Sequence, residues 1–422
     1  MRHQAQVVWW HVYPLGFLGA TIRPDDDAAL ADVALADVAP ARTLTSLIPW
    51  LDYAAGLGFE GLLLGPVFRS SSHGYDTLDH LAIDPRLGTE ADFDALAAAC
   101  AERGMHLALD GVFNHVGDRH PWVLDALANG PDSPGAKRVR IDHAEDGTPS
   151  AHVFEGHGGL ITLRHDAEEV RAYTAEVMTH WLDRGATSWR LDAAYAVSND
   201  FWADVLGRTR ATHPDAWFLA EVIHGDYAGI AAASTVDSVT QYELWKSLWS
   251  SIANRNFFEL DWTLTRHLEF CAAFTPSTFV GNHDVTRIAS HVGIDGAIAA
   301  LWLLMTLPGA PFVYYGDEVG ALGVKEDRIG GDDEVRPEYP VAPPAGWATD
   351  ADAARVLEAH REALALHSEN PWLTSGTVTV ELLENTRITY EVSGENEGEA
   401  LRVDADLGAD PSATPHVTVS RA

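Results

Sequence analysis

The sequence predicts an α/β protein built on a (β/α)8 barrel, with a short subdomain inserted after the third strand and a small antiparallel β domain at the C-terminal end. Three observations carry that prediction. Between residue 7 and about residue 316, short runs rich in Val, Leu, Phe and Tyr alternate with longer Ala/Leu/Glu-rich amphipathic segments, the pattern of repeated βα units on a parallel sheet. The runs number eight, as a closed barrel with insertions requires. An open doubly wound sheet is disfavoured, because no G-x-G-x-x-G turn follows the first run and no Walker-type phosphate loop occurs.

In chain order the strands are read at Val7–Tyr13, Gly61–Leu64, His106–Gly111, Ser188–Asp192, Phe218–Glu221, Asp237–Gln241, Thr278–Gly281 and Pro311–Tyr315. Helices such as Leu44–Leu57, Glu90–Arg103, Glu168–Asp183 and Asp350–His367 fall between or after them. After the third run a segment of about fifty residues rich in Gly, Pro, Asp and His precedes the next helix, too long for a plain connector. Beyond Pro371 the composition shifts to Thr, Val, Glu and Gly, with alternating stretches at Thr377–Leu383, Arg387–Val392, Ala400–Asp404 and His416–Val419 that read as an antiparallel sheet. The domains are therefore residues 1–116 with 166–370 for the barrel, 117–165 for the insertion and 371–422 for the β domain.

Composition narrows the function. The 422 residues carry 62 Asp and Glu against 28 Lys and Arg, a formal net charge of −34, with 46% hydrophobic residues for a real core. So acidic a surface repels phosphate backbones and anionic headgroups, so nucleic acids and membrane surfaces are not expected partners. The same charge suits a salty working environment. Two cysteines, Cys100 and Cys271, give neither a disulfide framework nor a metal-site spacing. No secretion signal opens the sequence, and the Ala-rich stretch Ala28–Ala41 is broken by Asp32 and Asp37, so a cytoplasmic protein without a membrane span is expected.

In a barrel of this kind catalytic groups come from the C-terminal ends of the strands, and four of these ends carry ionisable residues. They are Asp110, Asn114 and His115 in DGVFNH, Arg190 and Asp192 in SWRLDAAY, Glu221 and His224 in FLAEVIH, and His283 and Asp284 in FVGNHD. Side chains two apart on a strand share a face, so Arg190 and Asp192 point together into the mouth. A guanidinium beside a carboxylate favours its ionised form, as a nucleophile needs; the apolar approach Phe218-Leu219-Ala220 favours a neutral Glu221, as a general acid needs. Two carboxylates with opposed environments are the requirement of retaining glycoside hydrolysis. A buried ion pair that only ties the barrel together is the competing reading of Arg190 and Asp192. Among the Trp residues, Trp9, Trp181 and Trp302 read as core, while Trp122, Trp245 and Trp249 are candidates for a cleft.

With DGVFNH (110–115), WRLDAA (189–194), LAEVIH around Glu221 and VGNHD (280–284) in this order, the chain resembles glycoside hydrolase family 13, the α-amylase family, over nearly its whole length. HGYDTLDHLAIDPRLGT (73–89) and GAPFVYYGDE (309–318) support the resemblance. It implies Asp192 as nucleophile, Glu221 as acid/base and Asp284 as the third carboxylate gripping sugar hydroxyls. It further implies Tyr75 as a stacking platform, His115, Arg190 and His283 around the same ring, and Asp76 lining that subsite or pairing with a loop base such as Arg328. The Glu221-to-His224 spacing and LITLRHDAEEVR (160–171) resemble the neopullulanase, cyclomaltodextrinase and maltogenic amylase branch, with His224 among the substrate contacts and His165 where that branch has Asn.

That branch usually has an additional N-terminal β domain, whereas the first barrel strand here begins near Val7; a homodimer stays open. The resemblance implies a reaction that requires no cofactor. It leaves room for calcium between the barrel and the third loop, with Asn114, Asp118, Asp132, Asp142 and Asp146 as oxygen donors. The expected activity is hydrolysis of α-1,4 bonds in small linear or cyclic maltooligosaccharides. A transglycosidase or isomerase on the same scaffold is the enzymatic alternative, and a non-catalytic α-glucan-binding protein the alternative of another class. A metal-hydrolase barrel is disfavoured because no H-x-H pair occurs.

Overall fold

A computed structural model of the chain describes residues 2–23, 40–144, 148–328, 330–410 and 412–422; Asp32, Asp37 and Asp146 lie outside the described residues. Eight parallel strands close into a barrel: β1 (Trp9–Val12), β2 (Gly61–Leu64), β3 (His106–Gly111), β4 (Ser188–Leu191), β5 (Trp217–Ala220), β6 (Ser238–Thr240), β7 (Thr275–Thr278) and β8 (Ala310–Tyr314). Each pairs with its sequence neighbours, and β1 closes the ring against β8, Trp9 opposite Phe312. The seventh strand lies three residues earlier than the expected Thr278–Gly281. Pro276 and its Ser/Thr neighbours hide the strand from an apolar search, while Phe279 continues past it into the barrel interior.

Every barrel strand is buried on both faces, so two cores form. Inside the barrel Trp9 stacks on Trp217 (centroids 5.7 Å, planes 12° apart) and Phe279 on Phe312 (4.7 Å, 16°), filling it below the mouth. Gly61, beside Trp9 in the ladder, makes room for that indole: a Cβ there would lie 2.5 Å from Trp9 Cε3. Outside the barrel the apolar faces of the strands meet the helices α1 (Ile48–Leu57), α2 (Glu90–Glu102), α3 (Glu168–Asp183), α4 (Asn199–Arg210), α5 (Tyr227–Ser234), α6 (Tyr242–Ala253), α7 (Phe257–Ala273), α8 (Ile288–Thr306) and α9 (Ala351–Glu369). Their starts are written locally. Thr89 and Asp92 form a capping box at α2, and Ser198, Asn256 and Asp350 cap α4, α7 and α9. Trp9 and Trp181 are core as expected, and Trp302 packs half-buried against it.

Among the described residues α8 is the one helix long and apolar enough to cross a membrane by length and composition. It packs between α6 and α9 and against the C-terminal sheet, the place of a core helix. That sheet is a four-stranded antiparallel meander, β9 (Thr377–Leu383), β10 (Arg387–Ser393), β11 (Ala400–Asp406) and β12 (His416–Arg421). Tyr390 of β10 shares a buried hydrogen bond of 2.7 Å with Thr306 at the end of α8.

Two long connections shape the mouth. In the first, strand His115–Gly117 pairs antiparallel with Leu160–Thr162, a clasp that encloses a helix (Pro121–Asn129) and a hairpin of Ile141–His143 with Pro149–Ala151. The second follows β8 and begins with a turn in which Glu318 is fully buried, its Oε2 accepting the Gly316 N–H at 2.7 Å and its Oε1 3.4 Å from the Tyr53 and Tyr339 hydroxyls. Burial holds its carboxyl at about 7, above the usual 4.5. Burial likewise pushes the Cys100 and Cys271 thiols up to about 12, so neither is reactive.

Candidate active site

Strand register builds the floor of the mouth. β3 and β4 pair with Asp110 opposite Arg190, and Arg190 Nη1 donates to both Asp110 oxygens, at 2.7 and 2.6 Å. The ladder runs one residue past each strand, with Asp192 N–H donating to Gly111 O (3.0 Å) and Glu221 N–H to Leu191 O (2.9 Å), so Asp192 and Glu221 occupy neighbouring strand tips. The same guanidinium reaches both: Nη1 lies 3.4 Å from Asp192 Oδ1, and Nη2 donates to Glu221 Oε1. Immediately after Asp192 the chain turns through Ala193 in the left-handed region (φ 46°, ψ 37°), aiming the Ala193 N–H at Glu221 Oε2 (3.0 Å). An alanine there stores about 1–2 kcal/mol of strain, which the surrounding hydrogen bonds and packing hold in place.

The electrostatics differ from the sequence expectation. Arg190 was expected to keep Asp192 ionised, with Glu221 in apolar surroundings. Instead Glu221, though buried, is the partner with more hydrogen-bond donors, taking the Arg190 guanidinium, the Ala193 N–H and the Tyr242 hydroxyl (3.3 Å). Among the described residues the Asp192 carboxylate keeps only the long Arg190 contact, and burial followed by the facing Glu221 charge raises its pKa well above the carboxylate range, Arg190 opposing in part. Asp110, fully buried, is pushed up to about 6 by burial against the same guanidinium. Three carboxylates around one cation cannot all ionise cheaply, so the cluster retains a proton near neutral pH.

Above this floor opens a cavity of about 620 Å³ whose walls include Tyr75, His115, Asp192, Glu221, Asp284 and Arg328. Tyr75 donates to Asp110 Oδ2 (3.1 Å) and shares a short hydrogen bond with His283 Nε2, the two rings nearly parallel. Burial, reinforced by Arg336 and Arg190, keeps His283 neutral. Asp284, one third exposed, lies 3.0 Å from His283 Nε2 and accepts from Arg336 Nη2 at 2.7 Å. His115 Nε2–H donates to the Tyr75 carbonyl (3.1 Å), and the ring stacks on Phe154 of the inserted segment (4.9 Å).

Two expected contacts, Asp76 and His224, fall outside the cavity, and the expected pairing of Asp76 with Arg328 is not made. Asp76 turns away from the cavity because its carboxylate is spent on the Ser72 N–H (3.0 Å) and hydroxyl (2.6 Å). Arg328 lines the rim and pairs with Glu326, not with Asp76. His224 is exposed outside the cavity, its ring 5.8 Å from Tyr195. His165 is held by the Phe113 carbonyl (3.0 Å) against Phe201, away from the mouth. Of the three Trp candidates, Trp245 lines the cavity, while Trp122 packs on Tyr173 and Trp249 on His291.

Arg336 and Tyr242 are site residues that the sequence reading passed over. Arg336 is buried in the second long connection, its guanidinium joining Asp284 to Asp332; the Asp332-to-Arg336 spacing in GGDDEVRPEYP was the available signal. Tyr242 opens α6, which starts at the tip of β6 because the Gln241 side chain caps it.

The described acidic residues expected to hold calcium do not gather. Asn114 directs its amide Nδ2 at His115 Nδ1 (3.1 Å), Asp142 pairs with His152, and Asp118 and Asp132 face solvent. Among the described residues no group of three His, Cys, Asp or Glu is placed to hold a metal ion.

Comparison with known proteins agrees with this geometry. Residues 36–138 and 143–415 match the family described as alpha amylase, catalytic domain. Maltogenic alpha-amylase of Bacillus acidopullulyticus is 28% identical over 385 residues, covering 87% of this chain and 63% of that protein. Neopullulanase 2 of Thermoactinomyces vulgaris is 30% identical over 347 residues, covering 79% and 57%. The chain thus spans about six-tenths of the length of these curated relatives. Among solved structures, the maltose complex of cyclic α-maltosyl-(1→6)-maltose hydrolase from Arthrobacter globiformis superposes with a TM-score of 0.81 at 26% identity, covering 99% of both chains. A barrel with these strand-tip residues, matched by the family over most of its length, belongs to the α-amylase family, glycoside hydrolase family 13.

Proposed function

We propose that the protein is a retaining α-glucan hydrolase that cleaves α-1,4-glucosidic bonds of small linear or cyclic maltooligosaccharides through a covalent glycosyl-enzyme intermediate. The observation that carries this reading is the sharing of one guanidinium by Asp192 and Glu221 on the floor of the cavity. A pair that shares one guanidinium on neighbouring strand tips suits the separation of about 5–5.5 Å used by retaining enzymes.

In the proposed reaction Asp192 attacks the anomeric carbon as the glycosidic C–O bond breaks, and Glu221 gives its proton to the leaving oxygen. Water then attacks the same carbon, returns a proton to Glu221 and releases Asp192. Positive charge developing at the anomeric carbon favours the ionised form of Asp192, so the proton retained by the cluster shifts to Glu221 when the substrate is in place. Asp284, aligned by Arg336 and His283, accepts from sugar hydroxyls, and Tyr75 offers its ring face to the apolar side of the pyranose. The chemistry is written on side chains alone, without a cofactor.

The name of the relative intracellular maltogenic amylase of Bacillus subtilis supports a cytoplasmic enzyme. The full-length likeness to the Arthrobacter globiformis hydrolase adds cyclic α-maltosyl-(1→6)-maltose to the substrates worth testing. The experiment is a panel assay of the protein and Asp192→Asn on maltotriose, maltohexaose, cyclic maltooligosaccharides, that cyclic tetrasaccharide and soluble starch, recording the anomer first released. Retained α-anomers, abolished in the variant, are expected. Inverted products, or no hydrolysis of any member, would overturn the reading.

A further inference from the structure

A second cavity, of about 630 Å³, lies between α6 and α7. Ile223, Tyr242 and Trp245 line both it and the reaction cavity, so the two adjoin across these side chains. Its direction is fixed by chemistry. Ile223 is two residues beyond Glu221, and the Tyr242 hydroxyl rests on Glu221, so the trough leaves the reaction cavity on the side of the proton donor. The bond that receives that proton carries the leaving group, so the trough lies on the side toward which that group departs.

The outer wall carries Trp262, 70% exposed on α7, with Phe258 one turn earlier on the same face and 48% exposed. The polar groups of the trough are already paired across the two helices. Arg266 grips Glu243 with two bonds of 2.8 and 3.0 Å, and Lys246 lies 3.8 Å from Glu259 and 4.0 Å over the Trp249 ring. Such walls offer hydroxyl partners without a net charge. They fit a neutral polyol, whose apolar C–H face lies on an indole while its hydroxyls meet the rim, better than they fit an ion.

We propose that this trough holds the leaving-group end of longer α-glucans, with Trp262 as its outer platform, so that the enzyme favours longer chains over the shortest ones. The proposal rests on the hydrolase reading above and names the substrate length that the same site selects. Trp262 acts on chain length and does not touch the reacting atoms.

The test compares wild type, Trp262→Ala and Trp262→Phe on maltotriose and maltoheptaose. Trp262→Ala is expected to lower the ratio of kcat/KM for maltoheptaose to that for maltotriose about five- to tenfold, with most of the ratio restored by Trp262→Phe. The same variants in an Asp192→Asn background report binding, through maltoheptaose quenching of tryptophan fluorescence that Trp262→Ala weakens. Hydrolysis with an unchanged ratio overturns the trough and leaves the hydrolase reading standing. If no oligosaccharide is cleaved but Trp262-dependent quenching by maltoheptaose persists, the hydrolase reading falls and the trough stands. A change in sedimentation mass with no change in ratio or quenching overturns the proposal in favour of an interface between two copies.

Discussion

Replacing Glu318 with Gln keeps the shape of a fully buried side chain and its acceptor for the Gly316 N–H, but removes its ability to ionise. In the folded protein burial holds this carboxyl at about 7, whereas in the unfolded chain it titrates near 4.5. Between those values the folded state binds more protons than the unfolded state, so stability falls as pH rises from about 4.5 to about 7 and is level above. The shift of roughly 2.5 units, at about 1.4 kcal/mol per unit, amounts to about 3 kcal/mol of destabilisation by Glu318 at pH 8. Glu318→Gln should therefore gain on wild type as pH rises, the stability difference growing by about 3 kcal/mol between pH 4.5 and pH 8. Asp317, pushed to about 6 by burial, titrates in both proteins; its charge is one of the causes that raise Glu318, so the measured difference includes their mutual repulsion. Urea unfolding followed by tryptophan fluorescence at fixed ionic strength measures the difference at each pH. A difference that stays flat, or that shrinks as pH rises, refutes the reasoning, because it means that Glu318 ionises inside the fold at no cost.

Other predictions test the site and the scaffold. Arg336→Lys keeps the charge but loses the fork that joins Asp284 to Asp332; kcat/KM on maltooligosaccharides should fall about 10- to 100-fold with an unchanged circular dichroism spectrum. Arg190→Met leaves Asp110, Asp192 and Glu221 without their shared cation, and should destabilise the protein by about 3–5 kcal/mol at pH 8 but less at pH 5, where the carboxyls protonate; equal losses at both pH values would count against the shared-proton cluster. Gly61→Ala brings a methyl group to 2.5 Å from Trp9 and should cost about 1–3 kcal/mol in thermal or urea unfolding. With a net charge of −34, the thermal midpoint should rise from low to high NaCl as self-repulsion is screened; a level or falling midpoint contradicts that.

The barrel and the acidic strand tips were legible because both are local patterns: apolar runs mark the strands, and a carboxylate after such a run has few other reasons to be there. Register then does the rest, setting Asp110 beside Arg190 without any further information in the chain. What was hidden depends on how loops fold. Asp76 looked like a cavity residue until its own turn claimed it through Ser72, and His224 is carried outward by the exposed stretch before α5. Arg336 reaches Asp284 from 52 residues away through a connection with almost no regular structure, so no periodicity announces it. The roles of Asp192 and Glu221 in the charge balance were misjudged for a related reason. The decisive neighbours of Glu221 are a backbone N–H after Asp192 and a tyrosine from β6's successor helix, both remote in the chain.

The clasp between His115–Gly117 and Leu160–Thr162 bears on how this enzyme could change. Its two strands anchor the ends of the inserted segment, and Phe154, Glu155 and His157 hang from it into the wall of the cavity. Loop-closure entropy grows by only about 0.6 kcal/mol for each doubling of length, so the stretch between the anchors can be lengthened or exchanged at little entropic cost where Val123, Val139 and Ile141 keep their places in the core. The strand tips that carry the reaction lie outside the exchange. The segment is in effect a replaceable cassette, and for an engineer it is the place to graft a new rim while leaving the chemistry where it is.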